Sequence, residues 1–301
     1  MGVFNKDFVS RLILPTAIVC ISSASIIIRL AEAPPLVIAF YRLGYAAVLH
    51  ALLSLRSPRE YQEFDSNSML KSMLAGVVLG GHFVLWIYSL HYTTVAASTV
   101  LVSFHPILAA AAGYILLGEK LSLRRVLCIV AALIGVGFIA SAELTGGAGS
   151  LIGDLMAVAA AGAMAVYLIT GRDVRRTVKT LPYTTIVYST AAVSVLLLMM
   201  AVGESPWGFS RIQHLLFLLL AIMPTLLGHT LLNWALGYMQ TAPVAVATLG
   251  EPVGATVLAY LMLGEIPGWH QLVGAVFILG ALVFFGLGGN NEVNVDAHEQ
   301  K

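Results

Sequence analysis

Charged side chains are scarce in this chain. Of its 301 residues only 10% are charged, sixteen basic and fifteen acidic, whereas a water-soluble domain carries roughly 25%. With 59% hydrophobic residues and a mean hydropathy of +0.90, so few charges cannot cover the apolar surface of a soluble fold. A net charge of +1 leaves no basic face for a phosphate backbone, which excludes a nucleic-acid binder. Cysteine is scarcer still. Cys20 and Cys128 both stand inside apolar runs, at the spacing of neither a disulfide framework nor a metal site, and read as packing residues. The chain also lacks a Walker-type phosphate loop, a G-x-S-x-G elbow and an H-E-x-x-H pair. It therefore reads as no enzyme, and neither cofactor nor metal is implied.

Long apolar runs are what the chain has. A spanning helix needs about 20 mostly apolar residues. Ending such runs at charges, prolines and glycines gives ten, with cores near 11–31, 35–55, 72–91, 95–117, 123–142, 152–171, 182–202, 212–238, 243–263 and 269–289. The first follows Lys6 and Arg11 as a signal peptide would, yet it continues into Arg29 and Glu32 without a small-residue cleavage site and reads as an uncleaved first helix. No connection has room for a soluble domain. With the N-terminus inside, thirteen of the sixteen Lys and Arg fall on the cytoplasmic side; only Arg29 and Arg211 lie near the outer face, and Arg42 lies within helix 2. The expectation is an all-α polytopic protein of the cytoplasmic (inner) membrane with both termini in the cytoplasm.

The second half repeats the first. Gly81-His82, His105-Pro106 and Leu117-Gly118-Glu119 find counterparts in Gly228-His229, Glu251-Pro252 and Leu263-Gly264-Glu265, at an offset of 146 to 147 residues. Residues 1–145 and 146–290 then form two five-helix repeats, followed by a polar tail at 291–301. An odd number of spans per repeat inserts the second copy upside down. Inverted repeats are a plan of secondary transporters, with the site near the midplane between the halves.

On these residues the chain also resembles the EamA-type branch of the drug/metabolite transporter superfamily. The matching stretches run from Ala33 to Arg42 into helix 2, from Gly228 to Leu236 in helix 8, and over Glu251-Pro252-Val253, with the two Leu-Gly-Glu ends at Glu119 and Glu265. The resemblance covers essentially the whole chain. It implies ten helices in two inverted repeats, cytoplasmic termini and a central substrate cavity, with cargo drawn from amino acids, other metabolites, cationic drugs and sugar derivatives. One departure is that His105 stands where the match to Glu251 would place an acid.

Ionisable groups at bilayer depth cost at least about 2.5–3.5 kcal/mol on insertion scales, so each needs a partner, water or a function. Arg42, His82, His105, His229 and Glu251 all fall within a turn or two of the centres of their helices. Glu251 either pairs permanently with Arg42 or faces the cavity, where it carries a proton or binds a substrate cation. Arg42 either clamps structure or receives a substrate anion, its planar fork suiting a carboxylate. His229 and Asn233 share a helical face, as do His82 and Trp86. They either pack or line the cavity, and no second ligand pattern suggests metal. Trp86, Tyr88, Tyr114, Trp234, Tyr238 and Tyr260 are packing or interfacial aromatics, or a cage for an ammonium. Glu119 and Glu265 read as carboxylates at the N-termini of helices 5 and 10, outside the site. Pro106, Pro224 and Pro252 are places where a broken helix can bend.

The leading expectation is a secondary transporter, monomer or homodimer, that exports or exchanges small metabolites such as amino acids. A zwitterion would set its carboxylate near Arg42 and its ammonium near Glu251 and Trp86, or protons would load Glu251. Efflux of cationic drugs or quaternary amines is the alternative if Arg42 is locked in a structural pair. An intramembrane enzyme is the remote one.

Overall fold

Prolines and glycines set the limits of the helices. Pro15 and Pro35 occupy first turns, where a missing N–H costs nothing. Gly118 and Gly203 close helices with φ of 64° and 73°, a left-handed conformation that glycine adopts without strain. Ser210 and Gln213 form a reciprocal capping box. The computed structural model describes residues 9–56, 60–61, 64–92, 98, 101–119, 122–141, 151–264 and 266–287, and among these it contains helices and no strand.

In chain order these are α1 (Leu14–Ala31, entered through a π turn at Val9–Ile13), α2 (Pro35–Ser54), α3 (Ser66–Tyr92), α4 (His105–Leu117), α5 (Leu123–Ser141), α6 (Leu151–Val174) and α7 (Thr180–Val202). α8 runs through three segments, Arg211–Leu220, a π-helical Ala221–His229 and Thr230–Leu236. α9 comprises Thr241–Ala247, a 3₁₀ turn at Thr248–Gly250 and Glu251–Leu263, and α10 is Trp269–Leu287. Six of the described helices are long and apolar enough to cross a membrane, while α1, α4 and α10 offer shorter apolar stretches. All three prolines singled out in the sequence stand at breaks. Pro106 follows a turn at Ser103–Phe104, Pro224 lies within the π segment, and Pro252 follows the 3₁₀ turn.

α3 lies along α6 and α7, α2 along α7 and α8, α1 along α8 and α9, α4 along α6 and α9, and α5 along α10. Moving every helix number five places turns this set of pairs into itself. The main core is built mostly by α1, α2, α3, α6, α7 and α8, with Ala109 of α4 and Val244 and Ala245 of α9, and Arg42, Tyr167, Tyr183, Tyr188 and Phe83 are among the largest fully buried side chains. α5 and α10 build a small core with α9, apart from the main one. Outward faces carry exposed Leu, Val and Met, as on α7 at Val193, Leu197 and Met200, which suits contact with lipid.

The basic ends of several helices meet. Lys71 pairs with Asp173 at 2.5 Å, Lys179 with Glu60 at 3.6 Å, and Arg172 with Glu119 at 3.4 Å. These contacts gather the α2/α3, α4/α5 and α6/α7 connections at one end of the bundle. Lys6, Arg59, Lys120, Glu265, Lys301 and the C-terminal tail lie outside the described residues.

Candidate substrate site in the helix bundle

Arg42 is the organising residue. It projects from the middle of α2 and is 1% exposed. Its Nε donates to Thr225 Oγ1 at 2.8 Å, its guanidinium lies 4.0 Å from the centre of the Phe83 ring, and its Nη1 has no hydrogen-bond partner. No ion pair joins it to Glu251, so the permanent pairing considered from the sequence is absent. The two charges nevertheless lie within electrostatic range of each other. Glu251 is half-buried in the first turn after the 3₁₀ break. Its backbone carbonyl accepts from Ser22 Oγ at 3.1 Å, while its carboxylate has no protein partner among the described residues.

The three histidines differ. His82 Nδ1 donates to the Ala160 carbonyl at 2.9 Å, which ties α3 to α6 and fixes the ring. His105 has both nitrogens engaged, Nδ1 with the Val102 carbonyl at 3.0 Å and Nε2 with Thr248 Oγ1 at 2.8 Å, one turn before Glu251. His229 stands edge-on to Phe83, with centroids 5.4 Å apart, and its buried Nδ1 is unpartnered. Phe83 thus has the guanidinium and the His229 ring as neighbours. His82 and His229 lie within electrostatic range of Arg42, and His105 lies within range of the other two histidines.

Asn233 is fully buried. Its amide donates to Tyr167 Oη at 2.5 Å and to the His229 carbonyl at 2.8 Å, leaving Oδ1 unpartnered. Trp86 is partly buried and packs against the edge of the main core. The aromatic cage does not assemble. Tyr114 and Tyr260 are 62% and 52% exposed on the outside, and Trp234 lies tilted against Tyr238 with ring centroids 4.5 Å apart. Two grooves lie away from Arg42: one of about 300 Å³ on the outer side of α2 and α8, lined by apolar side chains and Arg56, and one of about 590 Å³ between α5 and α10, lined by apolar side chains.

Glu119 departs from expectation in its partner. Among the described residues it caps the start of α9: both carboxylate oxygens accept the Thr241 N–H, and Oε1 also accepts the Thr241 hydroxyl at 3.2 Å. The dipole argument holds, but tertiary packing selects the helix. Arg172 and Arg175 complete the junction by donating to the Leu236 and Asn233 carbonyls at the end of α8.

Sequence reasoning passed over Thr225, Phe83 and a buried polar row across α7, α8 and α2. Tyr188 Oη meets Thr230 Oγ1 at 3.2 Å, and Thr230 Oγ1 meets His50 Nε2 at 3.2 Å. The available signal was the adjacency of Thr225 to Pro224, since a proline inside an apolar helix frees a carbonyl that a nearby hydroxyl can bond.

A model of the EamA-like transporter family matches the chain twice, over residues 11–141 and over residues 151–287. A protein of Clostridium kluyveri named an uncharacterized transporter is 25% identical over 197 residues, which make up 64% of this chain and 63% of that one. The match thus spans less than two thirds of that relative's length. A protein crystal structure superposes with a TM-score of 0.77 at 20% identity, covering 92% of this chain and 96% of the other, and shows likeness of fold. These similarities and the apolar helices point to a multi-pass membrane transporter rather than an enzyme. The chain belongs to the EamA-like transporter family of the drug/metabolite transporter superfamily.

Proposed function

We propose that the protein is a secondary transporter of small carboxylate-bearing metabolites, amino acids or related zwitterions foremost. It would work by alternating access between two inverted five-helix repeats, residues 1–145 and 146–290. In this reading the chain has ten spans and both termini in the cytoplasm, which the distribution of Lys and Arg supports. The closed set of helix pairs and the two successive family matches support the repeat.

The observation that carries the substrate class is Arg42. A guanidinium taken out of water without an acid beside it leaves an uncompensated charge. Phe83 and Thr225 engage its face and its Nε, and Nη1 remains unpaired. A substrate carboxylate supplies the missing counter-charge with the planar geometry a guanidinium favours. Glu251, with its carboxylate unengaged, then receives the substrate ammonium or a coupled proton. His229 packs with Arg42 against Phe83, His82 ties α3 to α6, and His105 and Asn233 hold the surrounding helices in register.

The test is uptake and counterflow of radiolabelled amino acids in proteoliposomes, with and without an imposed pH gradient. Flux of substrates with a free carboxylate, absence of flux for their carboxamides, and loss of both in Arg42→Gln are the expected results. Acceleration by the gradient assigns proton coupling. Transport of quaternary amines that persists in Arg42→Gln would overturn the carboxylate reading in favour of cation efflux.

A further inference from the structure

The π-helical stretch of α8 has a direct consequence for Arg42. Pro224 has no N–H, so in an α-helical register the Leu220 carbonyl, four residues earlier, would lack its bond. The wide turn places position 225 over that carbonyl, and Thr225 Oγ1 donates to Leu220 O at 2.9 Å. A hydroxyl has one proton. With that proton committed to Leu220, the lone pairs of Thr225 are turned toward α2, where they accept from Arg42 Nε at 2.8 Å. The Thr225 carbonyl is held from its own side by Thr230, through its N–H and its Oγ1 at 3.3 Å, and by Tyr188 Oη at 3.4 Å. One residue therefore joins the irregular turn to the guanidinium, and bonds from α7 and α8 fix it in place.

We propose that Thr225 is a positioning residue: its hydroxyl, presented by the π turn, locks Arg42 through Nε so that the Nη edge is offered to a substrate carboxylate. This assignment rests on the carboxylate reading of Arg42. π turns inside α-helices occur often at functional sites. Here the extra residue in the turn brings the acceptor opposite α2. Relaxation of Ala221–His229 to a regular helix would rotate the hydroxyl away and release the guanidinium from its pose.

The test compares Thr225→Val, which keeps the shape and removes the acceptor, with Thr225→Ser, which restores it. Two readouts are needed. In proteoliposomes, initial rates for the amino acids that give counterflow should show KM raised about tenfold in T225V, the scale of losing one hydrogen bond to a charged group, with maximal rate nearly retained and KM recovered in T225S. In detergent, the rate at which phenylglyoxal modifies Arg42, followed by mass spectrometry of its peptide, should change several-fold in T225V and return to the wild-type value in T225S; this readout requires no substrate. Equal labelling of Arg42 in T225V and wild type would overturn the proposal, and so would T225S behaving like T225V. Unaltered flux in Arg42→Gln, with Arg42 labelling still sensitive to T225V, would instead reject the carboxylate reading while leaving the positioning of Arg42 intact.

Discussion

Glu119 and Thr241 hold α4 and α9 together: both carboxylate oxygens accept the Thr241 N–H, at 3.1 and 2.9 Å, across 122 positions of sequence. The carboxylate is 7% exposed and also pairs with Arg172, so the contact joins the ends of α4, α6 and α9. Glu119→Ala leaves a buried N–H unsatisfied and should cost about 1–3 kcal/mol. Thermal unfolding in detergent should show a clear drop in Tm for Ala and a smaller one for Glu119→Gln, whose amide oxygen still accepts.

Arg42→Lys separates charge from geometry. Lysine keeps the positive charge but has neither the Nε that reaches Thr225 nor the plane that covers Phe83. Flux of carboxylate substrates should fall at least about tenfold, on the scale of one charge-assisted hydrogen bond. Western blotting of membranes should show the protein still inserted, and wild-type flux in this variant would contradict a role for the guanidinium fork.

Glu251→Gln breaks no protein contact of the carboxylate among the described residues, where Glu251 is held through its backbone carbonyl by Ser22. Stability should stay within about 0.5 kcal/mol of wild type. Stimulation of transport by a pH gradient should disappear while counterflow survives. If the gradient still accelerates uptake, another group carries the proton.

Gly228, beside His229, tests how tightly α1 is held. A methyl group there would come within 2.5 Å of Ile21 Cγ2. Gly228→Ala should destabilise the protein by about 1–3 kcal/mol, the usual cost of overpacking. Adding Ile21→Ala removes the clashing methyl and should recover much of the loss in the same melting experiment.

Helix positions were legible because their punctuation is local. Pro35 opens α2 at the expected residue, Gly118 and Gly203 stop helices with left-handed φ, and the apolar runs supply the length. Arg42 and Glu251 stood out as charges in apolar surroundings. What stayed hidden is tertiary. Nothing near Glu119 in sequence points to α9, since any adjacent helix N-terminus satisfies the same dipole argument. Thr225 was invisible for another reason. A threonine is unremarkable in an apolar helix, and a π register leaves no trace in hydropathy. The cage of six aromatics failed because shared hydrophobicity does not say which face meets lipid, and Tyr114 and Tyr260 lie outside.

The separate α5 and α10 core, where Phe138 stacks on Phe277 at 5.8 Å, divides the molecule's sensitivity to mutation. Each half donates one of the two helices, and neither belongs to the core that encloses Arg42. Loosening this pair weakens the grip of one half on the other without altering the chemistry around the guanidinium. Changes there should appear as altered temperature dependence of turnover at unchanged substrate preference, so lesions in affinity and lesions in cycling will map to different helices.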